Sequence, residues 1–239
     1  PENECFFLTT DLCAVHRSDQ IQKIKETIMF NRFRKQTNTT GTGTHEFLIV
    51  GLGIRDSVSM MTEKQYGEIF NYTSVVSVGS SITRAERRAM LSKVNTVPNV
   101  EGYIQANRTM ISASSVLGAE KDEEKRAYLV VPADVDQFPG FITLKERTGK
   151  QQSISLADNG VVITEKYADL LDVKAGESIY LKIDESTVTP KEVKVIGIAE
   201  NYIFNYIYMT PNLYQTIYNE SAEVNTIYIK TTDSVNVAD

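Results

Sequence analysis

One stretch in the second half of the chain decides the fold class: Gly160-Val-Val-Ile-Thr-Glu-Lys-Tyr-Ala-Asp-Leu-Leu-Asp-Val-Lys-Ala-Gly-Glu-Ser-Ile179. Asn159 and Gly160 form a turn signal, and the apolar run 161–163 behind them predicts a short strand. Thr164 has the side chain and the position to cap a short helix that we expect to end near Leu171. A strand and a short helix therefore follow one another directly, and we expect Ile163 of the strand and Leu170 of the helix to lie in the core.

Similar short elements flank this stretch. We expect strands at 72–78, 100–106, 109–114, 127–131, 178–183, 191–198, 202–209 and 225–231. We expect helices along the stripe of Val58, Met61, Tyr66 and Ile69, from the capping box at Thr83 to Val94, and from Pro211 to Tyr218. These elements do not repeat as βαβ units. The sequence therefore predicts an α+β fold of mixed sheets and short helices, in two subdomains at about 58–131 and 132–239.

The composition is that of an ordinary folded protein. Of the 239 residues, 41% are hydrophobic and 23% are charged, so disorder is not expected. The net charge of −6 argues against a nucleic-acid partner, because phosphate binding requires clustered Lys and Arg. The longest apolar run, at 47–54, is too short to cross a bilayer, which takes about 20 residues. The acidic N-terminus also lacks the order of a signal peptide.

The N-terminal part differs from the rest in charge. Residues 1–45 carry six basic and five acidic side chains, a net charge of +1, which leaves −7 for the remainder. An amphipathic and basic segment is predicted first, with a helix at 18–30, followed by a Thr- and Gly-rich linker at 37–44. We therefore place a boundary near residue 45 and expect residues 56–231 to fold without residues 1–45.

The main domain shows no pattern of reactive side chains. Both histidines, His16 and His45, precede it, so no Ser-His-Asp or Cys-His arrangement can be assembled there. Cys5 and Cys13 either pair with each other or are inert thiols. Carboxylates in the loops offer fewer oxygens than Ca²⁺ takes. We expect no catalytic residue, no cofactor site and no metal site.

Nucleotide binding is also not expected. Gly51 and Gly53 resemble the start of a dinucleotide-binding loop, but Asp56 stands at the third glycine position, where its carboxylate would lie near the phosphates. The sequence has no Gly-rich Lys-Ser/Thr loop to hold a triphosphate. We predict that the purified chain shows no binding of MgATP by calorimetry, and a micromolar constant would contradict this.

Four aromatic residues alternate along the predicted strand at 202–209: Tyr202, Phe204, Tyr206 and Tyr208. Alternate residues of a strand share one face. That face is either packed against the core or is a partly exposed wall that contacts a partner, for which tyrosine is suited by its large ring and polar tip. We expect Phe204 to be core and Tyr206 or Tyr208 to be the more tolerant of substitution.

Further motifs accompany the stretch at 160–179. They are Val195-Ile-Gly-Ile-Ala-Glu-Asn-Tyr202, Tyr206-Ile-Tyr-Met-Thr-Pro-Asn-Leu-Tyr214 and, upstream, Gly51-Leu-Gly-Ile-Arg-Asp-Ser57 with Lys64-Gln-Tyr-Gly-Glu-Ile-Phe70. In this order, over about residues 47–231, they resemble the large extracytoplasmic domain of FtsX-like/MacB-like ABC-transporter permeases of the Gram-positive type. The resemblance implies a MacB-like core domain at 58–239 and makes residues 46–57 a remnant of a membrane-proximal helix. It departs at 37–46, which is polar where that family carries a hydrophobic span.

The resemblance implies a non-catalytic permease subunit at the cell membrane, with this domain on the extracytoplasmic side. ATP hydrolysis is then expected on a separate cytoplasmic ABC ATPase subunit, which the permease couples to export or to mechanical signalling. The other implied partners are a second permease chain and an unidentified peptide, lipoprotein or cell-wall protein. Two alternatives stay open: a secreted binding or adhesion module, and a hydrolase with dispersed carboxylates.

Overall fold

The computed structural model describes residues 6–7, 12–16, 57–78, 83–94, 96, 99–119, 124–147, 151–183 and 189–232. Among these residues, no helix is long and apolar enough to span a membrane. The predicted helix at 18–30, the linker at 37–44, Gly51, Gly53 and Cys5 lie outside the described residues.

Ten strands form one mixed sheet in this part of the chain. They are β1 (Phe6–Phe7), β2 (Leu12–His16), β3 (Ser74–Val78), β4 (Val100–Ser114), β5 (Lys125–Pro132), β6 (Val161–Thr164), β7 (Ser178–Lys182), β8 (Lys191–Ala199), β9 (Tyr206–Tyr208) and β10 (Thr226–Thr231). The helices are α1 (57–64), which continues into a π-helical turn (Gln65–Ile69), α2 (Arg84–Val94), α3 (Glu165–Leu171) and α4 (Pro211–Tyr218). The α+β prediction is confirmed.

Six of the strands close into a small barrel. From β4 the order is β5, β9, β6, β8 and β7, and the end of β4 pairs with β7, with Ser114 opposite Tyr180. The pairs β5–β9 and β6–β8 are parallel, and the others are antiparallel. Closure gives each of these strands two neighbours, which removes free edges from the barrel wall.

The barrel interior is the first core. It contains Leu129, Ile163 and Leu181, each at most 1% exposed, and the same cluster includes Tyr167 of α3 and Leu213 of α4. All four residues of β6 are buried, because both faces of this strand are covered.

Gly160 marks the start of β6, as predicted. A Cβ at this position would lie 2.4 Å from the carbonyl oxygen of Lys194. The close approach of β8 therefore requires glycine here.

β4 is fifteen residues long and takes part in both the barrel and a neighbouring antiparallel sheet. Its second half is part of the barrel, and its first half pairs with β10, which is followed outward by β3, β2 and β1, all antiparallel. The strands predicted at 100–106 and 109–114 are thus one strand, since neighbours hold both halves extended.

A second core lies between this antiparallel sheet and the outer face of the barrel. Tyr72, Ile104 and Tyr228 come from the sheet side, and Val130 and Val162 come from the barrel side. The two predicted subdomains, 58–131 and 132–239, both contribute to this core and to the sheet. Their separation as folding units stays a prediction.

Part of the N-terminal segment joins the sheet. β2 pairs with β3 over five residues, from Leu12 opposite Val78 to His16 opposite Ser74. Independent folding of residues 56–231 stays a prediction, and a chain shortened to that range would leave the edge of β3 without β2.

The residues before α3 and α4 differ in whether their side chains bond within the helix or to a distant residue. α4 begins at Pro211 as predicted, and the Oγ1 of Thr210 accepts the N–H of Leu213 at 3.1 Å. Thr164 precedes α3, but its Oγ1 accepts the N–H of Tyr206 at 3.1 Å and makes no capping bond. The capping prediction for Thr164 is wrong, because its hydroxyl oxygen is bonded to the N–H of Tyr206 on the neighbouring strand β9.

Two residues expected on apolar faces are exposed. Met61 of α1 is 46% exposed, and Leu170 of α3 is 45% exposed. Leu170 was expected in the core, but α3 buries Tyr167, Ala168 and Leu171 instead.

Buried tyrosines predict a loss of stability at alkaline pH. Burial raises the pKa of Tyr72, Tyr206, Tyr208 and Tyr228, that of Tyr206 to about 12. Above a pH of about 10 these groups ionise in the unfolded chain but stay protonated in the folded one, which costs about 1.4 kcal/mol per pH unit for each tyrosine. Stability should therefore be intact below about pH 10 and fall steeply towards pH 12.

Denaturant unfolding measured across this pH range tests the prediction. Tyr228→Phe removes one of the groups whose pKa is raised and should reduce the slope by about 1.4 kcal/mol per pH unit. A pH profile that stays flat to about pH 12 would contradict the assignment of these four tyrosines to a dry core.

Candidate functional site

The four predicted contact residues do not share one face. Tyr206 and Tyr208 lie on β9 and are 5% and 1% exposed, with both rings in the second core. Tyr202 is half-buried in the loop before β9, and Phe204 in the same loop is 61% exposed. The expectation that Phe204 is core and that Tyr206 or Tyr208 is tolerant is therefore wrong. The strand predicted at 202–209 forms only at Tyr206–Tyr208.

Phe204 is exposed because of its backbone. Its φ is +58°, a conformation that bulky residues rarely adopt and that costs on the order of 1–3 kcal/mol. The Nδ2 of Asn201 donates to the carbonyl oxygens of Ile203 at 2.6 Å and Phe204 at 3.0 Å. This buried asparagine holds the loop in the strained form.

Phe204 belongs to an aromatic corner, which we define as the exposed Phe204 and the half-buried Tyr128 and Arg108. The rings of Phe204 and Tyr128 meet edge to face, 5.9 Å apart, and the guanidinium carbon of Arg108 lies 3.9 Å from the Tyr128 ring centroid. Met110, opposite Tyr128 in the sheet, is 44% exposed. Aromatic residues, Met and Arg are the types enriched in protein interfaces.

A buried carboxylate lies on the other side of the same loop. Glu200 is 2% exposed. Its carboxylate oxygens lie 3.4 Å from the Nζ of Lys64 and 3.9 Å from that of Lys145, and one accepts the hydroxyl of Tyr202. Burial, and then the hydrogen bond to Glu200, raise the pKa of Tyr202 to about 12. Two cations and a phenol thus compensate a charge that would be costly if buried alone.

Gln65 completes the connection between the first helix and this loop. It is fully buried in the π-helical turn. Its Nε2 donates to the Oδ1 of Asn201 at 2.9 Å, and its Oε1 accepts the N–H of Tyr202 at 2.7 Å. We call Lys64, Gln65, Lys145, Glu200, Asn201 and Tyr202 the Gln65–Glu200 network. It fixes the end of α1 to the loop that carries Phe204.

Sequence reasoning missed this network. Gln65 and Asn201 are 136 positions apart, and neither residue type signals a partner at that distance. The nearest signal was the polar pair Lys64-Gln65 beside the apolar stripe of the first helix, which is equally typical of a solvated face.

We predict that Gln65→Leu destabilises the fold. The substitution leaves the Asn201 Oδ1 and the Tyr202 N–H buried without Gln65, which costs roughly 2–4 kcal/mol. Gln215→Leu, at an exposed position of α4, is the matched control and should stay within about 0.5 kcal/mol. Thermal unfolding of both variants measures this difference in stability. Equal stabilities would show that the network is not needed for the fold.

Within the part of the chain that the structure describes, no group of three or more His, Cys, Asp and Glu residues is placed to hold a metal ion. The features that stand out are instead the aromatic corner and the Gln65–Glu200 network. Both are suited to contact and to mechanical connection, and neither brings together a nucleophile and a base.

The barrel, the attached antiparallel sheet and the short helices define an α+β domain. The family model described as the MacB-like periplasmic core domain matches residues 47–239, and the chain belongs to this family. Membership confirms the resemblance to the extracytoplasmic domains of FtsX-like/MacB-like ABC-transporter permeases.

Three solved structures are similar to this chain. The extracellular domain of the noncanonic ABC-type transporter YknZ from Gram-positive bacteria is 14% identical, with a TM-score of 0.38 over 64% of this chain and 74% of that one. The periplasmic region of MacB from Actinobacillus actinomycetemcomitans is 15% identical, with a TM-score of 0.37 over 71% and 75%. A domain of a putative permease from Porphyromonas gingivalis is 14% identical, with a TM-score of 0.36 over 62% and 67%. No curated protein matches the chain.

Proposed function

We propose that this domain couples a cytoplasmic ABC ATPase to movement outside the membrane, as part of a non-catalytic permease subunit at the cell membrane. Family membership supports the class of protein. The observation that carries the coupling role is the Gln65–Glu200 network, because it joins the first helix to the loop of Phe204 through buried hydrogen bonds.

The network lies between the segment expected to be membrane-proximal and the loop that carries Phe204. By the resemblance, residues 46–57 are expected to be the remnant of a membrane-proximal helix. Residues 46–56 lie outside the described residues, and α1 begins at residue 57. A displacement of that helix would reach Gln65 and then Asn201 and Tyr202. Asn201 also holds Phe204 in its strained conformation, so the exposed ring would move with the helix.

We propose Phe204 as the principal partner contact, with Tyr202 at its margin. Tyr206 and Tyr208 are too deeply buried to touch a partner directly, and they support the loop from the second core. The partner is a peptide, lipoprotein or cell-wall protein, and a second permease chain completes the assembly.

The experiment uses the full-length permease with its ATPase in proteoliposomes. Gln65→Leu should leave basal ATP hydrolysis unchanged but reduce the transport or signalling output per ATP by about tenfold, and Gln215→Leu should leave both unchanged. Normal output from a Gln65→Leu protein with a measured loss of domain stability would contradict the coupling role. Recovery of the native protein outside the membrane, without an ATPase, would favour a secreted binding module.

A further inference from the structure

The first half of β4 has a strand on one side only. β10 pairs with it from Ala106 back to Val100, whereas β5 ends at Pro132, opposite Ala106. Beyond that point, among the described residues, a single backbone bond reaches the other side: the N–H of Ala133 donates to the carbonyl of Gln105 at 2.8 Å. Residues 100–105 are therefore a free sheet edge within the described structure.

The direction of the backbone groups follows from that bond. In a strand, the N–H and C=O groups of alternate residues point to the same side. The alternation holds from Ala106 to Gly102, before the register with β10 shifts. Since the carbonyl of Gln105 points to the open side, the N–H of Gln105 and the N–H and C=O groups of Tyr103 point there as well. An unpaired row of this kind is a template for another extended chain.

A fixed turn keeps this edge open. After β5 the chain bends away at Asp134, whose Oδ1 accepts the N–H groups of Asp136 and Gln137, both at 3.0 Å. The Oδ2 accepts the Nε2 of Gln137 at 2.7 Å. The bend leaves a groove of about 530 Å³, lined by residues 100–105 and by Ala133, Asp134 and Gln137. Six extended residues span about 20 Å, enough for a short peptide strand.

The charge of the groove favours a basic occupant. Glu101 and Asp134 are its two charged lining residues, and both are acidic. The Nζ of Lys230, on β10, lies 3.6 Å from a carboxylate oxygen of Glu101, and that pair is largely exposed and therefore weak. A Lys or Arg side chain of a bound strand would add a cation beside Glu101, whose ion pair is weak, and beside Asp134, whose hydrogen-bond donors are neutral amide groups.

We propose that the β4 edge at 100–105 binds an extended, basic segment of a partner protein, which adds a strand to the sheet. The main chain of the segment supplies the hydrogen bonds, and its Lys or Arg residues face Glu101 and Asp134. The inference is independent of the proposed coupling role, because it needs neither an ATPase nor a membrane.

The test uses the 239-residue chain and a synthetic probe, the acetylated and amidated peptide Lys-Val-Thr-Val-Lys-Val-Thr-Val. Amide exchange followed by NMR should be fast at Tyr103 and Gln105 in the free chain and slow at Ile104, whose N–H faces β10. Adding the probe should slow exchange at Tyr103 and Gln105. A probe N-methylated at every second residue, on the side that faces β4, should bind at least about tenfold more weakly.

Two substitutions separate the backbone contribution from the charge contribution. Tyr103→Pro removes an outward N–H that the sheet does not use, so the fold should persist while probe affinity falls by about tenfold. Glu101→Gln removes only the charge and should lose about two- to threefold. If Tyr103→Pro fails to fold, the N-methylated probe on the unaltered chain provides the test.

Several results would overturn the proposal. They are the absence of probe binding up to about 1 mM, equal binding of the N-methylated probe, and NMR changes away from residues 100–105. Self-association of the chain through this edge, without probe binding, would also overturn it.

Discussion

An Ile163→Asp variant is expected to lose cooperative unfolding altogether. Ile163 is fully buried inside the barrel, on a strand covered on both faces. An unpaired carboxylate there costs more than about 4 kcal/mol, which is most of the stability of an ordinary domain. Circular dichroism and thermal scans should show no native transition.

Leu170→Asp is the matched control for this variant. The same charge is introduced seven positions away, but Leu170 is 45% exposed on α3. The cost should stay within about 1 kcal/mol, most of it from an acidic group near a helix C-terminus. A folded Ile163→Asp protein, or an unfolded Leu170→Asp protein, would show that the barrel interior has been assigned wrongly.

The second large effect is expected for Tyr208→Ala. The ring of Tyr208 is 1% exposed and packs against those of Tyr206 and Phe138, with centroids 5.7 Å away in each case. Its removal leaves a cavity in the second core and should destabilise the domain by roughly 3–5 kcal/mol. Denaturant titration of the purified chain measures this directly.

Phe204→Ala is the matched aromatic truncation and should cost about 1 kcal/mol or less, because the ring is mostly in solvent. Phe204→Gly should be at least as stable as the parent, since glycine adopts a φ of +58° without strain. In the full-length transporter, a stable Phe204→Ala protein with lost output would identify the loop as the working contact. Equal losses of stability for Tyr208→Ala and Phe204→Ala would contradict this assignment and would indicate that the four aromatic residues share one buried face.

Local signals predicted most elements of the second half correctly. Gly160, Pro211 and the apolar run 161–163 act within a few residues, through backbone sterics, proline geometry and side-chain pattern. Family membership could also be predicted, because the motifs from Gly51 to Tyr214 occur in a fixed order.

The partner-contact prediction shows where local reasoning stops. Alternation correctly put Tyr206 and Tyr208 on one face of a strand. It could not show that the strand begins at Tyr206, since the loop before it is shaped by the side chain of Asn201 and by Gln65 from the first helix. The sequence pattern therefore could not predict which aromatic residue is exposed.

The sequence by itself determined the α+β class, the order of the elements and the family, because each depends on neighbours along the chain or on the order of motifs. Only the tertiary structure decided that β4 joins a barrel to an antiparallel sheet, that Gln65 binds Asn201 and Tyr202, and that residues 100–105 form an open edge. These features depend on which distant strands and side chains meet, and on where one strand ends before its neighbour does. Hydrogen bonds between residues 136 positions apart leave no periodic trace in the sequence, whereas a strand or a helix start does.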